Sequence, residues 1–254
     1  MRLSRGFTLI EMIMALVILA FISLGIGAYL QLGAGGYSDT IDRERLQSEA
    51  RFVIERITRE IRHAAPNSVS FSSGCLSFYP VLLTATYLNE PDPDPDHAKA
   101  PVLEVLVPPD SQQISLWNSG VNGNRAAVGF VSVSDYQVDE DASIVVSALT
   151  KAPTTADPTA SLQLSQWLGD RSPGQRLYLF SDQVAFCQVG DSLVRRVNNG
   201  TGYTLTNTLS HFNVAVSGAG LNSNGLIHLA LTFSDPVSQE SSDYSQSVQV
   251  INVL

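Results

Sequence analysis

The feature that most constrains this chain is a long stretch without charge. From Met12 to Ser38 there is no Asp, Glu, Lys or Arg, and Met12 to Ile22 are almost purely Leu, Ile, Met, Val, Ala and Phe. A helix rises about 1.5 Å per residue, so about 20 such residues cross the hydrocarbon core of a bilayer. The run is long enough to span. Arg2 and Arg5 precede it, with no acid beside them, and basic residues next to a span favour the cytoplasmic side. The bulk of the chain is then expected outside the cytoplasm. A secretory signal peptide shares the basic start but fits poorly. The apolar run is too long, Glu11 stands near its beginning, and no clear small-x-small cleavage site follows. A plain single-pass anchor is the simpler alternative.

Beyond Ser38 the pattern becomes amphipathic. Ile41, Leu46, Ala50, Val53, Ile57, Ile61 and Ala64 recur mostly three and four residues apart, which marks one helical face. The other face is dense in charge. Opposite signs fall four apart at Arg45–Glu49, Arg51–Glu55, Glu55–Arg59 and Arg56–Glu60, pairs that stabilise a helix by a few tenths of a kcal/mol each. Pro66 stops the pattern. Residues 7–64 therefore read as one helix of about 58 residues, roughly 85 Å long. Its first half suits lipid or other apolar helices, and its second half suits a folded domain. Gly25, Gly27, Gly33, Gly35 and Gly36 gather at the junction, where a bend is expected.

The start of the chain carries a more specific signal. Arg5-Gly6-Phe7-Thr8-Leu9-Ile10-Glu11 resembles the processing site of type IV prepilins and pseudopilins. The resemblance implies that prepilin peptidase cuts between Gly6 and Phe7 and N-methylates Phe7. It also implies that Glu11 is the acid that fixes subunit register in the filament. A carboxylate at the edge of a span is costly without a partner, and the new ammonium on Phe7 of a neighbouring chain would supply one. The bland alternative is a Glu11 that snorkels to the headgroups. Implied domains are a leader at 1–6, a pilin helix at 7–65 spanning at about 9–32, and a periplasmic β-rich domain at 66–254. Implied partners are other major and minor pilins, prepilin peptidase, the inner-membrane assembly platform and, before assembly, inner-membrane lipid. The implied place is the bacterial inner membrane, single-pass, and then the pilus on the cell surface.

Two features point within the family. Ala28 stands where major pilins commonly carry proline, and Arg51–Arg62 with Ala65–Val69 is similar to minor pilins of the J/W type. A minor pilin that initiates or caps a filament is the expectation. A pseudopilin of a type II secretion system and a tip adhesion module stay open.

Residues 63–254 hold seven Lys and Arg against 17 Asp and Glu. The whole chain has 15 against 24, a net −9, which argues against nucleic acid as a partner. The texture beyond Pro66 is β-rich. Expected strands are Val69–Phe71, Leu76–Leu83, Val102–Val107, Ile114–Trp117, Ala127–Val133, Ile144–Leu149, Leu177–Phe180, Val184–Val189, Leu193–Val197, Tyr203–Leu205, Phe212–Val216, Leu226–Phe233 and Ser245–Leu254. Gly190-Asp191, Asn199-Gly200, Gly218–Gly220 and Asn224-Gly225 supply turns. The fold class expected is α+β, a long helix packed on an antiparallel β-rich domain.

Cys75 and Cys187 are the two cysteines, too few for a zinc site built on Cys pairs. In an exported domain they suggest one disulfide, with two buried thiols as the alternative. No catalytic or cofactor motif occurs, and neither an enzyme nor a cofactor is expected. His63, His97, His211 and His228 are scattered, though the last two could meet on neighbouring strands. Glu90-Pro91-Asp92-Pro93-Asp94-Pro95-Asp96 and Asp139-Glu140-Asp141 are acidic enough to attract Ca²⁺, but neither has EF-hand spacing.

Overall fold

The computed structural model describes residues 8–89, 101–129, 132–136, 143–168, 171–180, 182–218, 224–236 and 240–250. The long helix α1 runs unbroken over Leu9–Ile61, 53 residues, or about 80 Å. The glycines at the junction do not interrupt it. Every described residue up to Ile41 is exposed. From there the expected stripe faces inward: Leu46, Ala50, Val53, Ile57 and Ile61 are buried. Of the four expected charge pairs, Arg56–Glu60 is the ion pair formed among the described residues. Glu60 also accepts from Arg195 Nε at 2.9 and 3.0 Å, tying the helix to the sheet beneath it.

Strands β1 (Ser70–Ser72), β2 (Cys75–Phe78), β9 (Val184–Val189), β10 (Ser192–Val197) and β11 (Tyr203–Thr206) form one sheet in the order β1-β2-β9-β10-β11. Strands β12 (Leu209–Ser217), β13 (Gly225–Ser234) and β14 (Ser241–Val250) form a second. The helix stripe and both sheets share one core, in which Phe78, Phe186, Phe212 and Phe233 meet Val53, Ile57 and Ile61. The hairpin at Gly190-Asp191 forms as its residues demand, with Gly190 at φ 60°.

The surprise lies between β2 and β9. Strands β3 (Val81–Tyr87), β4 (Val102–Leu106), β5 (Arg125–Ala127), β6 (Ser143–Lys151), β7 (Thr159–Leu164) and β8 (Arg176–Phe180) close into a barrel in the order β3-β4-β7-β6-β5-β8. Every described strand pair in the molecule is antiparallel. The barrel has its own core of Leu103, Val105, Trp117, Val146, Leu162 and Leu179 among others, with no contribution from α1. Its first and last strands are neighbours, Val81 opposite Phe180, so the chain leaves the sheet at Phe78 and re-enters beside it at Val184. A closed barrel can be inserted at that point without disturbing the β2–β9 ladder.

Several expected elements change. Ile114–Trp117 is not a strand but part of helix α2 (Ser111–Gly120). Asp110 caps it, its carboxylate accepting from the backbone N–H groups of Gln112 and Gln113 at 3.0 Å. Ile114 and Trp117, three apart, turn the same face inward, which an alternating reading cannot see. Leu76–Leu83 splits at Tyr79-Pro80, one part serving the sheet and the other the barrel. Ala127–Val133 shrinks to Arg125–Ala127. The strand Thr159–Leu164 was absent from the expectation because its outward positions are Thr, Ser and Gln. The helix ends at Ile61, short of Pro66, because the chain then turns to bond with the start of the barrel. Ala65 N–H donates to Tyr79 at 2.7 Å, and Val81 N–H to His63 at 2.8 Å.

An aromatic cluster seals the seam between the two cores. Tyr136 stacks on Tyr79 at 5.3 Å and meets Phe180 at 5.2 Å, and its hydroxyl donates to the Pro66 carbonyl. Arg125 lies over the Phe180 ring at 5.5 Å and donates to the carbonyls of Tyr136 and Ser143 at 2.8 and 3.2 Å. Burial, then the neighbouring Tyr178 and Asp135, push the Tyr136 hydroxyl well above the usual tyrosine range.

Candidate functional site: the exposed half of the N-terminal helix

The helix begins with a cap. Thr8 Oγ1 accepts from the Glu11 N–H at 3.3 Å, and the Thr8 carbonyl accepts from Met12 at 3.2 Å. Thr8-Leu9-Ile10-Glu11 thus has the Thr-x-x-Glu form of a capping box. This capping signal is distinct from the role expected of Glu11 as an acid in assembly. The two roles are compatible, since a carboxylate in the first turn also faces the positive end of the helix dipole. Gly6 and Phe7, the expected cleavage and methylation residues, lie outside the described residues.

The Glu11 carboxylate is exposed and receives no hydrogen bond or ion pair from any described residue. Around and beyond it Leu9, Ile10, Met12, Phe21, Leu24 and Leu32 are all exposed, on a half of α1 that no other described element covers. By length and composition this helix can cross a membrane. An isolated helix with apolar residues on all sides has no place in water. It needs lipid or other helices around it.

The cysteines sit at the other landmark, the neck where barrel meets sheet. Cys75 and Cys187 are directly opposite on β2 and β9 and are joined by a disulfide, 112 residues apart in sequence. In the chain-entropy picture a loop of that length corresponds to roughly 4–5 kcal/mol. The covalent link encloses the whole barrel.

Among the described residues no group of three His, Cys, Asp or Glu could hold a metal ion. The Glu90–Asp96 and Asp139–Asp141 stretches and His97 lie outside them. His211 and His228 do not meet: His211 is opposite Thr232, and His228 is opposite Ala215 and Ser247.

Residues 1–27 match the family model described as the prokaryotic N-terminal methylation motif. No curated protein and no solved structure matches the chain. The motif supports a type IV pilin or pseudopilin, membrane-anchored through its apolar helix, and points to a structural protein rather than an enzyme. It also implies, in general terms, processing by prepilin peptidase and assembly with other pilins.

Proposed function

We propose that this chain is a minor type IV pilin that initiates or caps a filament. Prepilin peptidase cuts after Gly6 and methylates Phe7. The helix is held in the inner membrane with the β-rich domain in the periplasm. Glu11 of one subunit then takes the Phe7 ammonium of the next as the subunit passes from the assembly platform into the filament. The carrying observation is the exposed Glu11 carboxylate, partnerless among the described residues, on the half of α1 that no other described element covers. A charge near the end of a span costs less than at its centre, where insertion scales give about 2.5–3.5 kcal/mol, but still calls for a partner, and assembly supplies one. Within the family the stretch Arg51–Arg62, the segment Ala65–Val69 and the hairpin residues Leu193–Arg196 resemble the minor pilin MshO of the mannose-sensitive haemagglutinin pilus. Ala28 in place of the usual proline, together with the large two-core domain, supports a minor rather than a bulk subunit.

The test is processing followed by assembly. Intact mass of Gly6→Leu is expected to retain the leader, and its cells to lose surface pili. Glu11→Gln is expected to be trimmed normally yet to enter filaments poorly. Native protein that keeps its original methionine, with normal piliation in both variants, overturns the proposal.

A further inference from the structure

The domain beyond the helix is strongly acidic, so a concave place where the sign reverses stands out. It lies where the end of α1 meets the outer wall of the barrel. A cleft of about 620 Å³ is lined there by Arg62 and His63 from the helix end, Thr84 and Thr86 from β3, and Arg176 and Tyr178 from β8. No acid is among its described lining residues. Arg43 pairs with Glu240, Lys151 with Asp157, and Arg195 with Glu60. The side chains of Arg62 and Arg176, like those of Arg45, Arg51, Arg59 and Arg196, have no hydrogen-bond or ion-pair partner among the described residues, and what sets Arg62 and Arg176 apart is that they line one cleft together with His63.

The main chain holds these groups in place. His63 and Ala65 are bonded to Val81 and Tyr79 at the barrel's first strand, and Ala64 bridges to Pro80. Arg176 sits opposite Thr86 in the β3–β8 ladder, its N–H donating to Ser172 Oγ at 3.1 Å. Two elements thus bring the backbones of Arg62 and Arg176 to one cleft, and their side chains are ordered when an anion arrives. Pro108, Pro109, Pro158 and Leu106 complete the lining.

We infer that this cleft binds an acidic saccharide, a sugar unit bearing a carboxylate or sulfate. Guanidinium groups grip a carboxylate or sulfate through paired N–H bonds. The Thr84, Thr86 and Tyr178 hydroxyls can both donate and accept, as sugar hydroxyls do. The prolyl and leucyl faces suit the C–H face of a pyranose ring, and the volume falls within the usual range for small-molecule sites. An acidic peptide is the weaker candidate. The hydroxyls and prolyl faces of the lining match a pyranose better than a peptide backbone, and binding of an acidic peptide is an outcome of the test below. The inference does not depend on the pilin proposal, because a chain left uncut at Gly6 would still bind the sugar.

The experiment is calorimetric titration of the full chain in detergent micelles with trigalacturonate, a sulfated trisaccharide and neutral maltotriose. Saturable binding of at least one acidic sugar is expected, with none for maltotriose. Arg62→Gln and Arg176→Gln are each expected to weaken it about tenfold or more, the loss of one charge-assisted contact. Arg196→Gln, away from the cleft, is expected to leave it unchanged, and Arg176→Lys, which keeps charge but not the fork, to fall between. Circular dichroism of each variant secures that it is folded. Absence of binding to both acidic sugars overturns the inference. So does equal binding of maltotriose, an unchanged affinity in Arg176→Gln, or displacement of the sugar by a tighter-binding Asp/Glu peptide.

Discussion

The two cores of this protein differ in what they ask of the long helix. The core between the sheets takes Leu46, Ala50, Val53, Ile57 and Ile61 from α1 as a structural wall. The barrel core takes nothing from it and closes on itself, with Trp117 of α2 packed into it. The helix is therefore both anchor and wall for one body, while the other is a self-contained insert held at a neck. Closure explains the difference. A barrel has no edges to cover, whereas two open sheets need a third element to bury the faces they leave bare.

The comparison breaks most visibly if each core is damaged alone. Trp117→Ala, in a side chain that is fully buried, is expected to cost about 3–5 kcal/mol, and Ile57→Ala about 2–5 kcal/mol. Calorimetry should place the first loss on the barrel transition and the second on the sheet–helix transition. A single transition shifted equally by both would show that the aromatic seam of Tyr79, Tyr136 and Phe180 makes the two bodies one cooperative unit.

A smaller effect tests the neck. Reducing the Cys75–Cys187 bridge, or replacing both with serine, is expected to cost about 2–4 kcal/mol, below the chain-entropy figure because the denatured chain keeps residual structure, measured by urea unfolding with and without reductant. The denatured state is what the bridge constrains, so the native near-ultraviolet spectrum should hardly change. A spectrum that collapses on reduction would mean that the β2–β9 ladder cannot hold the barrel without the covalent link.

The smallest effect belongs to the barrel surface. The hydroxyl of Thr159 and then Lys151 hold the Asp157 carboxyl down at about 2, below its usual 3.8. A depressed carboxyl contributes stability that is present above its unfolded pKa and is lost as pH falls through its folded value. Between pH 4 and pH 2, Asp157→Asn should therefore lose less stability than the parent. Full exposure keeps the difference small, and it should appear in the barrel transition alone. A difference that grows above pH 5 instead would rule out this cause.

Much of the helix was legible in advance because its signals are local. A charge-free run, a stripe at three- and four-residue spacing and an acid at a fixed place after Gly6-Phe7 are all read along one stretch of chain. The late strands were legible for the same reason: β13 and β14 alternate over ten residues each. Helix α2 is not legible over Ile114–Trp117 alone, because Ile114 and Leu116 alternate as in a strand while Ile114 and Trp117 are three apart as in a helix, and the deciding Asp110 cap lies outside that window. The capping role of Thr8 is equally local, a Thr-x-x-Glu spacing within one helical turn.

The sequence by itself determined that the first half of the helix cannot live in water and that its second half must lie on a β-rich body, since both follow from which side chains repeat at which spacing. Only the tertiary structure decided that the middle of the chain closes into a barrel inside a sheet, that Arg62 and His63 end up across a cleft from Arg176, and that the expected Cys75–Cys187 bridge spans the neck of that barrel. Those outcomes join residues on the order of a hundred positions apart, and no local pattern encodes where they meet. They are fixed by which strand completes which ladder, an energy that exists only once the whole chain has folded.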